Sequence, residues 1–180
     1  MQFGDYRIEI IPDCEFRLDG GAMFGVVPRN LWSKPCPPDD QNRIRMNMNC
    51  LFIETGRERI LIDTGIGDKW SEKYRAMYGI NRIRSLDESL KEIAGVTSSD
   101  ITIVINTHLH FDHAGGNTLI DEGKAVPAFP NARYLVSQAE LAHAQSPSER
   151  DRASYFPDNW QPLLENGQLE TIDAVTGIRP

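Results

Sequence analysis

Cysteines are scarce in this sequence of 180 residues, which has only Cys14, Cys36 and Cys50 and no Cys-x-x-Cys pair. An odd number of cysteines far apart is poor material for a disulfide framework, so we expect small buried residues with unreacted thiols. Long apolar runs are also lacking, since no stretch approaches the roughly 20 residues needed to span a bilayer. The first 16 residues interrupt every apolar run with charges, which excludes a signal-peptide core there. We therefore expect a soluble, cytoplasmic protein with no membrane partner.

The sequence has no excess of basic residues. It contains 19 lysines and arginines against 26 aspartates and glutamates, a formal net charge of −7. A protein that binds a phosphate backbone needs a basic face, so nucleic acid is not an expected partner. The length fits one domain with a single core.

The N-terminal third has the alternating apolar pattern of β-strands. Strands are predicted over residues 6–11 and 14–18, with a turn at Pro12-Asp13 between them. Two further apolar runs, over residues 48–54 and 59–63, predict a hairpin. This part of the chain therefore reads as an antiparallel meander.

The rest of the chain alternates strands with helices. Strands are predicted over residues 101–106, 132–136 and 168–173. The first of these is a β-branched run, which is typical of a central strand covered on both faces. Helices are predicted over residues 68–79 and after two capping boxes, Ser85 to Glu88 and Ser137 to Glu140. Together the patterns predict an α/β domain built in layers.

A long loop over residues 20–43 is rich in glycine and proline yet carries large apolar side chains, among them Met23, Phe24, Leu31 and Trp32. Such a loop is usually a lid, a pocket wall or an interface. Packing on the domain's own core is an equally sound alternative.

Three of the four histidines fall between Asn106 and Asn117, in the spacing His108-x-His110-x-Asp112-His113. Residues two apart point the same way on extended backbone, so the first two histidines can converge just beyond the strand predicted before them. The glycines that follow the motif permit a tight turn. From that turn, the aspartate and the last histidine can point back to the same place.

Imidazole and carboxylate groups together suit Zn²⁺, Fe²⁺ or Mn²⁺, and such a cation turns water into a nucleophile near neutral pH. The alternative is a helix N-cap at Asp112 among incidental surface histidines. Three histidines within six residues of a chain that has only four favour the metal site. The fourth, His143, lies on a predicted helix outside any motif, and we expect it to be exposed or packed there and not to bind metal.

The segment THLHFDHAGG, together with LIDTG at residues 61–65, resembles the metallo-β-lactamase superfamily. The segments GGAMFGVVPRNLW and NCLFIETGRERILIDTGIGDKW are similar to its lactonase-like branch. The resemblance implies an αββα sandwich with a metal centre at the sheet edges. It also implies a hydrolase in which a metal-bound hydroxide attacks an ester, lactone or amide carbonyl. A thioester hydrolase of the glyoxalase II type and a non-catalytic module that retains the motif are the alternatives.

For individual residues, the resemblance implies a site for two metals, with Zn²⁺ expected and Fe²⁺ or Mn²⁺ as alternatives. His108 and His110 would bind the first metal, and Asp112 and His113 the second. Asp112 would also orient the hydroxide and carry a proton to the leaving group.

Other residues are implied to support this centre. Asp63 would accept a hydrogen bond from a ligand imidazole and fix its tautomer, or it would cap its own turn. Met23, Phe24 and Trp32 would line the pocket of a small-molecule substrate, or they would only pack.

The number of ligands falls short of a complete centre. A catalytic zinc takes about three protein groups, whereas four residues shared by two metals supply two each. In the family the remaining ligands come from later segments, and downstream of His113 this sequence has only His143 before it stops at TGIRP. We therefore expect residues 1–180 to form one C-terminally incomplete domain, the N-terminal half to two-thirds of the sandwich. It would bind metal weakly or at one site, and would pair with itself or with the missing C-terminal half.

Overall fold

The computed structural model describes residues 1–173. Residues 174–180, which include the TGIRP segment, lie outside the described residues, and so does the expectation that depends on them. The strands are β1 (Gln2–Phe3), β2 (Tyr6–Asp19), β3 (Arg43–Glu54), β4 (Arg59–Ile62), β5 (Ile103–Ile105), β6 (Thr118–Asp121), β7 (Lys124–Pro127), β8 (Arg133–Ser137) and β9 (Leu169–Ile172). Seven of them form one sheet in the order β1-β2-β3-β4-β5-β8-β9, and β6 and β7 form a separate hairpin.

Helices alternate with the later strands, as an α/β fold requires. They are α1 (Gly20–Phe24), α2 (Arg29–Trp32), α3 (Glu72–Met77), α4 (Leu86–Ile93), α5 (Phe111–Ala114), α6 (Gln138–Gln145) and α7 (Gln161–Glu165). Within residues 1–173, none of the helices has the length and apolarity that crossing a membrane requires. The layered α/β fold predicted from the sequence is confirmed.

The N-terminal strands are antiparallel, but one predicted turn is absent. β2 runs straight through Pro12-Asp13 and pairs with β3 along its length. The prediction of two separate strands was wrong because a β-bulge between Pro12 and Cys14 absorbs the irregularity. A bulge accommodates proline, which has no amide hydrogen to give to a neighbouring strand. The predicted hairpin is confirmed by the antiparallel pairing of β3 with β4.

The second half of the sheet is parallel, with β4, β5, β8 and β9 running side by side. β5 lies between β4 and β8, and its Val104 is fully buried, which confirms the predicted central strand. The carboxyl ends of parallel strands meet at one edge of a sheet, where binding sites of α/β proteins form. The residues that follow Ile62 on β4 and Ile105 on β5 are therefore brought together.

One predicted helix start and one predicted capping box differ from the structure. α3 begins only after Ser71, because the Asp68 carboxylate is engaged by Arg82 and does not cap a helix. The capping box of α4 is complete, as predicted. At α6 only half of the predicted box forms: Ser137 accepts from the Glu140 amide, but the Glu140 carboxylate is turned toward another segment.

Two apolar clusters hold these elements together. The larger packs the sheet against α4 and the later helices, with Phe52, Leu61 and Leu90 fully buried. The smaller contains Cys14, Phe16, Met48, Ile66 and Phe111. Because Phe111 belongs to the histidine segment, this second cluster fixes that segment to the body of the domain. Among the cysteines, Cys14 and Cys50 are free and buried, as expected, and Cys36 is free and partly buried.

Candidate metal centre

The histidine segment begins where β5 ends. His108 and His110 lie on the extended backbone past the strand, and His110 is the N-cap of α5. The amides of His113 and Ala114 both donate to the carbonyl oxygen of His110, which turns the chain back on itself. Asp112 therefore lies in the first turn of this short helix.

The turn brings three imidazole rings into contact. The ring centroids of His108 and His110 are 4.6 Å apart, and those of His108 and His113 are 4.0 Å apart. The carboxylate of Asp112 lies 3.6 Å from Nε2 of His113. The sequence spacing thus places all four side chains in one small volume at the sheet edge.

Asp63 connects the end of β4 to this cluster. Its Oδ2 lies 2.8 Å from Nδ1 of His113, and its Oδ1 accepts from the amide of Thr107 at 2.8 Å. Asp63 has a left-handed backbone with φ of 58°, which is uncommon for a residue other than glycine and is tolerated best by Asp and Asn. The Asp63 carboxylate thus bonds to the histidine segment and does not cap its own turn.

The same carboxylate orients a second imidazole through a hydroxyl. Thr107 Oγ1 donates to Asp63 at 2.8 Å and lies 3.1 Å from Nδ1 of His108. A hydroxyl has one hydrogen, and the carboxylate can only accept, so Nδ1 of His108 must carry the proton in this contact. Nδ1 of His108 is thus occupied by Thr107 and Nδ1 of His113 by Asp63, while Nε2 of His113 faces the Asp112 carboxylate.

The environment favours neutral His108 and a basic His113. Burial, followed by the neighbouring imidazoles of His113 and His110, lowers the pKa of His108 below its ordinary value. Burial also lowers the pKa of His113, but the hydrogen bond to Asp63 and the charge of Asp112 outweigh it, and the net pKa is raised. A carboxylate behind a ligand imidazole increases its basicity in the way metal sites use.

These donors fit a divalent cation in kind. Three imidazoles and a carboxylate are the ligands that Zn²⁺ and related ions take. As the side chains stand, no three His, Cys, Asp or Glu groups within the described part of the chain could hold an ion. The side chains are therefore neighbours with suitable chemistry.

The turn after the motif lies very close to the residues that follow β4. A Cβ added to Gly67 would lie 2.1 Å from the carbonyl oxygen of Gly115, and Gly67 has φ of +66°. Lys69 also joins these two segments: its Nζ donates to the carbonyl oxygens of Gly115 and Thr118 at 2.5 Å and 2.7 Å. The segment that carries His113 is thus held by backbone contact that larger residues would prevent.

Sequence reasoning missed several side chains beside the motif. The ring of Tyr155 packs against that of His110 with centroids 4.7 Å apart. The ring of Trp70 packs edge-on against those of Phe111 and Phe156, with centroids 5.3 Å and 5.7 Å apart. Trp70 and Phe156 both line a cavity of about 280 Å³. Tyr155 and Phe156 are far from the motif in the chain, so no local pattern could indicate them.

The residues predicted to line a pocket lie in the two short helices of the loop. Trp32 is 4% exposed and stacks on Phe24 with ring centroids 5.0 Å apart, while Met23 is 45% exposed. The Trp32 ring packs directly over Gly20. The structure does not bring these residues into the ring contacts of the histidine cluster.

The remaining histidine lies on α6. Nε2 of His143 is 2.7 Å from Asp151, and its ring packs on Tyr155 with centroids 5.5 Å apart. His143 thus packs on its helix and lies next to the wall of the cluster.

Residues 44–177 match the family model of the metallo-beta-lactamase superfamily. The chain belongs to this superfamily. Among its relatives is an N-acyl homoserine lactonase of Bacillus cereus, which is 26% identical over an alignment of 143 residues; the match covers 74% of this chain and 53% of the lactonase. The chain thus spans about half the length of the lactonases it matches.

Solved structures share the fold of this chain. A probable metal-dependent hydrolase from Staphylococcus aureus superposes with a TM-score of 0.87 at 32% identity, covering 100% of this chain and 63% of that protein. The dizinc quorum-quenching lactonase AidC, in complex with a product, has a TM-score of 0.74 at 24% identity and covers 99% of this chain and 62% of its own. The described strands and helices are therefore those of the metallo-beta-lactamase fold.

Proposed function

We propose that this protein is a metal-dependent hydrolase that opens a lactone or related ester, with His108, His110, Asp112 and His113 as metal ligands. The observation that carries the proposal is the link from Asp63 to two imidazoles. Its Oδ2 lies 2.8 Å from Nδ1 of His113, and Thr107, which donates its hydroxyl to Asp63, lies 3.1 Å from Nδ1 of His108. Such orientation of two neighbouring imidazoles by one carboxylate is typical of metal sites.

A divalent cation at this place, Zn²⁺ foremost and Fe²⁺ or Mn²⁺ as alternatives, supplies a Lewis acid that polarises a carbonyl and lowers the pKa of water. The protein's own contribution is orientation and proton transfer. Asp63 keeps the rings of His108 and His113 in one tautomer. To the Asp112 carboxylate we assign proton transfer: it would take the proton of the attacking water and pass it to the leaving alkoxide oxygen.

We propose an uncharged, partly apolar small molecule as substrate. The net charge of −7 disfavours polyanions. The aromatic cavity lined by Trp70, Tyr74 and Phe156 adjoins Phe111 of the motif and would take an apolar group. Met23, Phe24 and Trp32 are a second proposed wall. The names of the lactonase relatives agree with this class of substrate.

We further propose that residues 1–180 are one domain whose centre draws some ligands from outside the described residues. Within residues 1–173 no three donor groups could hold an ion as placed. The chain also spans 62% to 63% of the length of its structural relatives. Weak binding of one metal by this chain is therefore expected.

The test is zinc titration by calorimetry and hydrolysis of N-acyl homoserine lactones, followed as proton release, on the full chain. His110→Ala should abolish both signals. His143→Ala is the matched control, because it removes a histidine that has no place among the proposed ligands, and it should leave zinc binding intact. Absence of zinc binding in the unaltered chain would overturn the proposal. Zinc binding without lactone or ester hydrolysis, in a protein that also supplies the remaining ligands, would overturn the proposed enzymatic activity.

A further inference from the structure

Glu140, at the start of α6, makes two contacts with the walls of the histidine cluster through one oxygen atom. Its Oε1 accepts from the backbone amide of Leu109 at 2.8 Å and from the hydroxyl of Tyr155 at 3.0 Å. We propose that Glu140 is a positioning residue for the metal centre, setting the directions of His108 and His110. The inference rests on the proposed function in its reference to metal.

The first contact fixes the peptide between two proposed ligands. Leu109 stands between His108 and His110, and its side chain is fully buried. A buried amide needs a partner, and a carboxylate is a stronger acceptor than a carbonyl. Because the Leu109 peptide sets the directions in which both neighbouring Cβ atoms leave the backbone, an acceptor fixed on a helix holds the two imidazoles at once.

The second contact fixes the aromatic wall of His110. Tyr155 packs its ring edge-on against His110 with an interplanar angle of 76°, and the two residues also pair through an isolated β-bridge. The hydroxyl of Tyr155 ends on Glu140. The imidazole of His110 is therefore held from its backbone side and from its ring face by groups that meet at one carboxylate.

A second glutamate in the chain makes the capping contact that Glu140 does not make. Glu88 occupies the same third position of its helix, and its carboxylate returns to the Ser85 amide at 2.7 Å, completing the capping box. Ser137 likewise accepts from the amide of Glu140 at 3.1 Å, but that carboxylate binds Leu109, 31 residues earlier in the chain. A local capping contact is thus replaced by a contact with the histidine segment.

The experiment compares Glu140→Ala, Glu140→Gln and Tyr155→Phe with the matched control Glu88→Ala in the full chain. The control removes a glutamate from the same helix position, so it reports the loss of a cap alone. Zinc affinity is measured by calorimetry. In the metal-free chain, NMR measures the exchange of the Leu109 amide and the ring shifts of His108 and His110.

Glu140→Ala is expected to speed exchange of the Leu109 amide, to shift both histidine rings and to weaken zinc binding by about 10- to 100-fold. Glu140→Gln keeps an oxygen acceptor and should restore most of the affinity. Tyr155→Phe should shift the His110 ring while leaving the Leu109 amide protected. Glu88→Ala should lower the melting temperature without moving the ring shifts or the zinc affinity.

Unchanged amide exchange and ring shifts in Glu140→Ala would overturn the inference, as would an equal response to Glu88→Ala. If the alanine variant does not fold, the glutamine and phenylalanine variants decide by the same readouts. If the unaltered chain binds no zinc, the proposed function fails. The NMR measurements on the metal-free chain then still decide whether Glu140 positions the two rings.

Discussion

Asn106 and Asn117, the two residues that bound the histidine segment, exchange two side-chain hydrogen bonds of 3.2 Å and 2.9 Å. Both are buried, with 3% and 0% of their surface exposed. Thr64 adds a third bond by donating its hydroxyl to Asn117 at 3.0 Å. These hydrogen bonds join the two ends of the histidine segment.

We predict that Asn117→Ala destabilises the fold by about 1–3 kcal/mol, because it leaves the buried amide of Asn106 without its partner. The double variant Asn106→Ala/Asn117→Ala should cost less than the sum of the two single variants, since residues in one network are coupled. Urea unfolding followed by circular dichroism measures all three. Strictly additive losses would contradict the pairing.

Asp63→Asn is expected to lower zinc affinity by about 10- to 100-fold with little loss of stability. Asparagine tolerates the left-handed backbone but cannot accept from His113 and Thr107 as a carboxylate does. Calorimetry measures the affinity and thermal melting the stability. Asp121→Asn, a change at an exposed aspartate, is the control. Wild-type affinity in Asp63→Asn would show that the carboxylate does not orient the ligands.

Gly67→Ala should destabilise the fold more than Gly123→Ala. Both glycines have left-handed backbones, with φ of +66° and +79°, but a Cβ on Gly67 meets the Gly115 carbonyl at 2.1 Å, whereas one on Gly123 meets nothing within 4 Å. The conformational cost alone is about 1–2 kcal/mol, so the excess measures the close approach. Chemical denaturation of the two variants provides the comparison, and equal losses would argue against a tight contact.

Lys69 gives a prediction about pH. Burial lowers the pKa of Lys69 to about 8, although Asp158 and Asp68 oppose the shift. The unfolded chain holds this proton up to a pKa of about 10.4. It therefore binds more protons than the folded chain between these values, and the contribution of Lys69 to stability rises as pH rises through that window. Unfolding free energies at pH 8 and pH 10 should show this rise relative to Lys69→Met; parallel curves would contradict it.

The parts of the structure that depend on neighbours in the chain could be predicted. The capping box of Ser85 and Glu88 and the central strand before Asn106 follow from local patterns. The extended spacing of His108 and His110 also follows, because alternate residues on a strand end share a face. Each depends on residues a few positions apart.

The contacts between distant segments could not be predicted in this way. Pro12-Asp13 has the composition of a turn, and only the pairing partner β3 makes it a bulge. Glu140 has the spacing of a capping box, and only the approach of Leu109 diverts its carboxylate. Tyr155 reaches His110 across a separation for which the sequence has no periodic signal.

The register of the parallel pairing between β4 and β5 determines which residues meet at the site. Ile62 lies opposite Ile105, and this register sets Asp63 beside Thr107. A slip of one residue would turn every side chain of β5 to the opposite face of the sheet. It would also carry the carboxylate away from the two imidazoles that it orients. A misfolded chain with shifted strands would lack these contacts. Metal affinity therefore reports whether β4 and β5 are paired in the correct register, in addition to whether the ligands are present.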